Sequence, residues 1–571
     1  MLTETKYPSC TPELWGGIEC TVNRLGNTYR DQLADADHYD RPGDIQHFGK
    51  LNITKLRYPV LWENHIEDAD GRIDWAPTQR KLEEIRSENM VPIVGLVHHG
   101  SGPEHSNLLD IAFAEKLALY AGRVAAQFPW VEFYTPVNEP LTTARFSGLY
   151  GFWYPHHCKE KSFVQMLLNQ VKGIILSMRA IRAVNPSAKL VQTEDLCMIH
   201  STPVLAYQAA FENERRWLSF DLLCGYFGPE HSFWKRALQL GIAEEDLYFF
   251  TENNCPPDII GCNYYVTSER YLDENIAAYP AHQHGGNGHH RYADIDAVRV
   301  HKNIGIEKLL REAWLRYKLP VAITECHLSC TREEQLRWFK ETWDAACCLQ
   351  QEGIPVRAVT AWSLLGSYDW NSLLTQQNGH YETGVFDISA GNLRPTLLAE
   401  MIQALAAGHS FNHPLLASKG WWRSKEEGSN PAAIGEPLII ISRKSTGAKV
   451  FELACRQRKI PYGLHSSAEI LNADKAPWGV LFIVEQWDAI TQNIAEDLSR
   501  YCRRRQVALM IVAPQFTDLP EHNFLLVACA DSADHASVQY AMDIFIDGEH
   551  GQWRIHKQGA RKISTSTPAF F

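Results

Sequence analysis

Residues 131–140 read VEFYTPVNEP and residues 321–327 read VAITECH. Each is a short apolar run of strand length that reaches a carboxylate at its end, Glu139 in the first and Glu325 in the second. Strands that carry acids at their C-terminal tips suit a (β/α)8 barrel, whose chemistry gathers at that rim. Two such acids can serve as proton donor and nucleophile across one glycosidic bond. The pair points to a barrel that cleaves glycosides, provided the rest of the chain supplies six more strands.

Short apolar runs recur at Leu14 to Glu19, Ile53 to Tyr58, Val91 to His98, Lys189 to Glu194, Asp258 to Tyr265 and Val356 to Leu364. Between the runs lie helical patterns at Pro77 to Asn89, Phe113 to Phe128, Phe163 to Val184, Ile304 to Arg316 and Glu333 to Gln350. Eight strands separated by helices predict a closed (β/α)8 TIM barrel over residues 1–408. The stretch Cys197 to Pro257 is expected to add helices or a lid over the mouth. A second insertion, Tyr271 to His301, holds His282, His284, His289 and His290 among glycines. No carboxylate–histidine spacing fixes a metal geometry there, so a mobile loop is expected and no metal site.

Gly, Pro, Ser and Asn break the periodicity over residues 409–436, which read as a linker. Alternation then resumes: strand Pro437 to Ile441, helix Gly447 to Arg458, strand Val480 to Val484, helix Asp488 to Cys502, strand Val507 to Val512, strand Leu525 to Ala528 and helix Ala533 to Phe545. Residues 437–571 are expected to form a small, doubly wound, Rossmann-like α/β domain.

A formal net charge of -12 on 571 residues argues against a nucleic-acid or anionic-membrane partner, since phosphates call for a basic footprint. No run of about eighteen apolar residues exists to span a bilayer. The N-terminal residues lack the apolar core and small-residue cleavage site of a signal peptide. Fourteen cysteines show no CxxC pair or regular spacing, so free thiols in a reducing compartment, the cytoplasm, are expected. The expected partner is a small carbohydrate; a homo-oligomer stays open.

Other strand ends converge on the acids. Arg57 in KLRYP can hold Glu325 ionised, and Tyr265 in NYY can donate to the same carboxylate. Asn138, beside Glu139, is placed to donate to a sugar 2-hydroxyl. His98 and His99 in LVHHG are candidates for sugar hydroxyls, and Trp362 in TAWSLLGSYDW offers a flat face for a pyranose ring.

These segments, with LWGG at the start and ETGVFD near the end, resemble the family 1 glycoside hydrolases over most of residues 13–395. The resemblance implies a retaining β-glycosidase of the β-glucosidase kind, with Glu139 as acid and base and Glu325 as nucleophile. It also implies Arg57, His98, Asn138, Tyr265 and Trp362 at the sugar. The chain departs from the family where Asn23 replaces a glutamine and where Ser367, Tyr368, Asp369 and Trp370 replace Asn-Phe-Glu-Trp. Asn23, His99, Asp369 and Trp370 are therefore expected to shape a rim that accepts a different sugar. The C-terminal part resembles the dTDP-4-dehydrorhamnose reductases, but ISRKSTGAKV retains only Gly447 of a glycine-rich turn and no Tyr-x-x-x-Lys pair follows residue 437. No nicotinamide cofactor is expected. A transglycosylase with the same pair, or a non-catalytic carbohydrate-binding or scaffolding protein, are the competing functions.

Overall fold

The structure is a computed structural model that describes residues 11–301, 303–423, 437–442, 445–467, 476–513, 525–528, 535–549, 551–556 and 559–563. Eight strands form the barrel: β1 Glu13–Gly17, β2 Lys55–Pro59, β3 Val91–Gly95, β4 Phe133–Thr135, β5 Lys189–Asp195, β6 Ile259–Asn263, β7 Val321–Cys326 and β8 Val356–Ala361. All neighbours are parallel and β1 pairs with both β2 and β8, which closes the ring. Each of the eight apolar runs supplies one strand.

Closure explains the composition of the runs, because both faces of every strand are buried. Trp15, Ile93, Val191, Ile259, Ala322 and Ala358 meet inside the ring. Their sequence neighbours Leu14, Val94, Leu190, Ile260, Ile323 and Val359 join the main hydrophobic cluster, which also takes in the surrounding helices. This is the two-residue alternation of a strand. The helices between strands run Ala76–Ser87, Phe113–Gln127, Glu160–Val184, Ile306–Tyr317 and Arg332–Gln351, each near its expected span.

Four helices, Ala206–Arg215, Leu218–Cys224, Ser232–Gln239 and Glu244–Glu252, fill the first insertion, as expected. The histidine-rich segment differs from the mobile loop expected of it. His284–Gly286 pairs antiparallel with Arg291–Asp296 inside a four-stranded sheet, with His284 bonded to the Tyr279 carbonyl at 2.8 Å and His290 to the Tyr207 hydroxyl at 2.9 Å. Glycines read as loop signals there serve a hairpin.

Of the expected linker, residues 409–423 pack on the barrel: the Trp422 ring lies 5.1 Å from that of Trp338, and Arg423 pairs with Glu341 at 2.7 Å. Residues 424–436 lie outside the described residues. The C-terminal sheet comprises β9 Leu438–Ser442, β10 Tyr462–His465, β11 Gly479–Ile483, β12 Ala508–Ala513, β13 Leu525–Ala528, β14 Gly551–His556 and β15 Gly559–Ile563. Its order is β10-β9-β11-β12-β13-β14-β15, parallel except for the last pair. Such a doubly wound sheet carries helices on both faces. Ile439 and Ile441 pack with helix Ala489–Arg505, whereas Leu438 and Ile440 face helices Ser445–Gln457 and His535–Ile546 and belong to the same cluster as the barrel core. Arg443 and Lys444 of the degenerate turn lie outside the described residues.

Buried ions stitch this domain to the barrel. Asp547 accepts from Arg332 Nε at 2.9 Å, Arg394 Nη1 at 2.7 Å and the Leu397 amide at 2.9 Å. Arg458 Nη1 reaches Glu333 at 3.2 Å and Asp543 at 2.9 Å. Helix Arg332–Gln351, gripped in this way, is the one that follows the Glu325 strand.

Candidate active site

Glu325, on β7, is buried at the C-terminal end of the ring. Arg57, on β2, donates Nη1 to Glu325 Oε1 at 2.9 Å and Nη2 to Asn138 Oδ1 at 2.8 Å, so one guanidinium spans two strand ends. The Tyr265 hydroxyl donates to the other oxygen of Glu325. Burial pushes the Glu325 carboxyl up, while Arg57 and Tyr265 pull it back toward the ionised form.

Glu139 faces a different environment. Burial comes first and the charges of Glu325, Asp195 and Glu194 add to it, holding the carboxyl well above the ordinary range. Its one close side-chain donor is Asn263 Nδ2, at 2.6 Å from Oε1. Asn263 also helps to lower the Glu325 carboxyl, after Arg57 and Tyr265. The backbone at Glu139 is left-handed, with φ 45 and ψ 62, a conformation that costs a non-glycine residue about 1–2 kcal/mol. Glu194, wholly buried on β5, holds the chain beyond it: Oε2 accepts from the Leu141 amide at 2.9 Å and Ser219 Oγ at 2.7 Å, and Oε1 from Thr142 Oγ1 at 3.1 Å.

Asn138 joins the acids to the histidines. Its Oδ1 is filled by Arg57 and by Thr193 Oγ1 at 2.7 Å, which turns Nδ2 toward His98 Nε2 at 3.3 Å and His99 Nε2 at 3.4 Å. Those long contacts leave an N–H for a ligand. Burial drives His98 well below the usual imidazole range and His99 down to about 3, so both rings are neutral. His99 Nε2 stands 3.8 Å from Glu139 Oε2.

Trp362 lies within this group: its ring stacks on His98 at 5.4 Å and 9° and sits 4.5 Å from the Arg57 guanidinium. The indole is thus enclosed rather than bare. Trp370 meets His99 at 5.9 Å and Trp153 at 6.3 Å, and its Nε1 has no hydrogen-bond partner among the described residues. Asn23 is wholly buried, and neither of its amide atoms has a partner among the described residues.

Asp369 is elsewhere engaged. It is wholly buried, and it accepts from Arg30 Nη2 at 2.9 Å and from the amides of Asn378, Gly379 and His380 at 3.1, 3.2 and 2.8 Å. Burial alone would raise its carboxyl; these donors hold it below the usual range. Three of these donors crowd Oδ2 and the His380 amide alone reaches Oδ1, so Asp369 holds this loop in place and keeps one lone-pair site on Oδ1 open.

Sequence reasoning passed over three groups that the structure brings here. Asn263 is the first residue of the Asn-Tyr-Tyr segment, and two-residue alternation with Tyr265 signals a shared face. Asp195 follows Glu194 at the β5 tip, with its carboxyl raised by burial to about 7. Glu19, just past β1, stands in the apolar stretch LWGGIECTV and accepts from Trp362 Nε1 at 3.3 Å.

A relative from Arabidopsis thaliana, "Beta-glucosidase 47", is 23% identical over 439 residues, 69% of this chain and 79% of its own. A Bifidobacterium breve "Bifunctional beta-D-glucosidase/beta-D-fucosidase" is 22% identical over 63% of this chain and 85% of its own. The "Family 1 b-glucosidase from Thermotoga maritima" shares the fold at TM-score 0.56 and 16% identity, covering 72% of this chain and all of that one. The profile described as "Glycosyl hydrolase family 1" matches residues 18–383, more than half of the sequence, and the chain belongs to that family.

Proposed function

We propose that this family 1 glycosyl hydrolase cleaves small β-glycosides or oligosaccharides with retention, Glu325 attacking the anomeric carbon and Glu139 giving and then taking the proton. The observation that carries the assignment of roles is the asymmetry of the two acids. Glu325 has a guanidinium and a phenol to hold it ionised, whereas Glu139 has three negative neighbours and one amide. Environments that push two carboxyls apart in this sense suit a nucleophile and an acid. Membership of family 1 supports retention, for which the two carboxyls lie about 5–5.5 Å apart.

In the first step Glu139 protonates the leaving oxygen as Glu325 displaces it. Asn138 Nδ2 donates to the sugar 2-hydroxyl, and Arg57 holds both Asn138 and the nucleophile in register. In the second step Glu139, now ionised, takes a proton from water, which frees the sugar with its original configuration. Asn23, His98, His99, Trp362 and Trp370 line the sugar in this reading. The β-glucosidase relatives support a β-linked sugar. The C-terminal domain reads as a degenerate relative of the dTDP-4-dehydrorhamnose reductases that packs against the barrel, supported by its buried ionic seam. Twelve free described cysteines support a cytoplasmic enzyme.

The test is capture of the intermediate. An activated 2-deoxy-2-fluoro-β-glycoside should label the protein one to one, and peptide mapping should place the sugar on Glu325. A label on another residue would refute the assignment.

A further inference from the structure

Glu325 stands one residue before the end of β7, and the chain beyond that strand is thinly supported. Among the described residues, no backbone hydrogen bond ties residues 327–330, which lead into helix Arg332–Gln351, to another main-chain group. A side chain holds the stretch instead. Gln335, 2% exposed, donates Nε2 to the Leu328 carbonyl at 3.0 Å and to the Thr383 carbonyl at 2.7 Å. Leu328 lies three residues past Glu325, and Thr383 follows the strand Tyr381–Glu382, which pairs with Ser367–Tyr368 just ahead of Trp370. One amide therefore clasps two of the loops that wall the mouth.

What turns the amide this way comes from the C-terminal domain. An arginine only donates, so the 2.9 Å contact from Arg332 Nη1 makes Gln335 Oε1 the acceptor and leaves Nε2 facing the loops. Arg332 in turn is set by Asp547, whose two oxygens accept from Nε at 2.9 and 3.0 Å. Asp387 of the barrel stands farther off, at 3.6 Å from Arg332 Nη2, while Asp543 of the C-terminal domain accepts from the Arg332 amide at 3.4 Å. Carboxylate, guanidinium, carboxamide and carbonyl thus run in one direction, from the second domain to the backbone beside the nucleophile.

Resting on the reading of the chain as a glycosidase with Glu325 as nucleophile, we propose that the C-terminal domain braces the active site, Gln335 being the positioning residue through which Asp547 and Arg332 hold the loops after the seventh and eighth strands. Arg57 and Tyr265 orient the Glu325 carboxylate; the brace fixes the backbone from which it hangs. Displacing a reacting group by about 1 Å costs about 100-fold in rate. The domain contributes to turnover in this way without touching the sugar.

The experiment follows the rate at which the activated 2-deoxy-2-fluoro-β-glycoside labels Glu325, taken per labelled site so that any unfolded fraction drops out. Gln335→Met, of similar volume but with neither donor, should slow labelling about tenfold to 100-fold, lower kcat and kcat/KM together with KM within about threefold, and speed amide hydrogen exchange at residues 327–330. Gln335→Glu keeps an acceptor for Arg332 and loses the donors; it should behave in the same way, and it carries the test if Gln335→Met does not fold. Asp547→Asn, at the far end, should slow labelling about threefold to tenfold and add less than about twofold on top of either Gln335 variant, since both act through one path. Wild-type labelling rates in the folded Gln335 variants overturn the brace, and losses that multiply in the double variant overturn the part played by the domain. No label on Glu325 in the wild type sinks the glycosidase reading instead; hydrogen exchange then decides the brace alone, and unchanged exchange at residues 327–330 overturns it.

Discussion

Replacing Asp547 by alanine removes one of two carboxylates shared by a pair of buried cations, leaving Asp387 at 2.7 Å from Arg394 and 3.6 Å from Arg332. The Asp547 side chain is wholly buried, and it accepts from Arg332, 2% exposed, from Arg394, 10% exposed, and from the Leu397 amide. Breaking a buried pair from one side costs about 3–5 kcal/mol, because the remaining charge stays desolvated. The shift in melting temperature then depends on how much of the chain unfolds together. Unfolding entropy runs at about 2.1 cal/mol/K per residue, so the whole chain carries about 1.2 kcal/mol/K and residues 437–571 alone about 0.3 kcal/mol/K. A chain that melts as one unit should lose about 2.5–4 °C, in a single transition. A second domain that melts by itself should lose about 10–18 °C, in a separate earlier transition. The continuous core and the ionic seam predict the first outcome. Differential scanning calorimetry of wild type and Asp547→Ala reads both quantities. A loss below about 1 kcal/mol in denaturant titrations would refute the claim that Asp547 neutralises these arginines, and two well-separated transitions would refute the single unit.

Glu325→Gln should abolish turnover on every glycoside at unchanged stability, whereas Glu139→Gln should still react with nitrophenyl glycosides and regain turnover with azide, giving a glycosyl azide of retained configuration; an inverted azide would contradict the mechanism. Glu63 is buried with Oε2 unpartnered and its carboxyl raised to about 7, so its stability contribution is full below the unfolded value of 4.5 and is lost as pH rises through about 7. Glu63→Gln should therefore match the wild type at pH 4.5 and exceed it by up to about 3 kcal/mol at pH 8, and equal stabilities at pH 8 would refute the shift. Gly17→Ala would set a methyl 2.4 Å from Trp362 Cε3, so it should displace the indole, cost about 1–3 kcal/mol and lower kcat/KM at least tenfold; unchanged kinetics would show that the indole's position does not matter.

The barrel was legible because its strands are largely buried on both faces and so read as short, mainly apolar runs that turn polar at their C-terminal ends, as Val321–Cys326 does. Tyr462–His465, Gly551–His556 and Gly559–Ile563 escaped notice for the opposite reason. Tyr462–His465 and Gly559–Ile563 are the two edges of the sheet and Gly551–His556 lies next to one, and Tyr462–His465 is only four residues long. At the site, the acids and Arg57 were readable from motif position. The fate of Asp369 was not, because it depends on Arg30, 339 residues away in sequence. Glu19 was missed because nothing local distinguishes a lone acid in an apolar stretch from a solvated one; its partner Trp362, just past the neighbouring eighth strand, is 343 residues away in sequence.

The ionic seam also sets a timetable for synthesis. Arg394 finds its partner Asp547 only 153 residues later, after every barrel strand has emerged. At about 5–20 residues per second, the ribosome makes a closed barrel wait roughly 8–30 s with Arg332 and Arg394 sharing Asp387 alone. During that interval two arginines share one carboxylate beside an apolar face, a combination suited to transient capture by a chaperone. A stop codon between residues 394 and 547 would make that vulnerable state permanent.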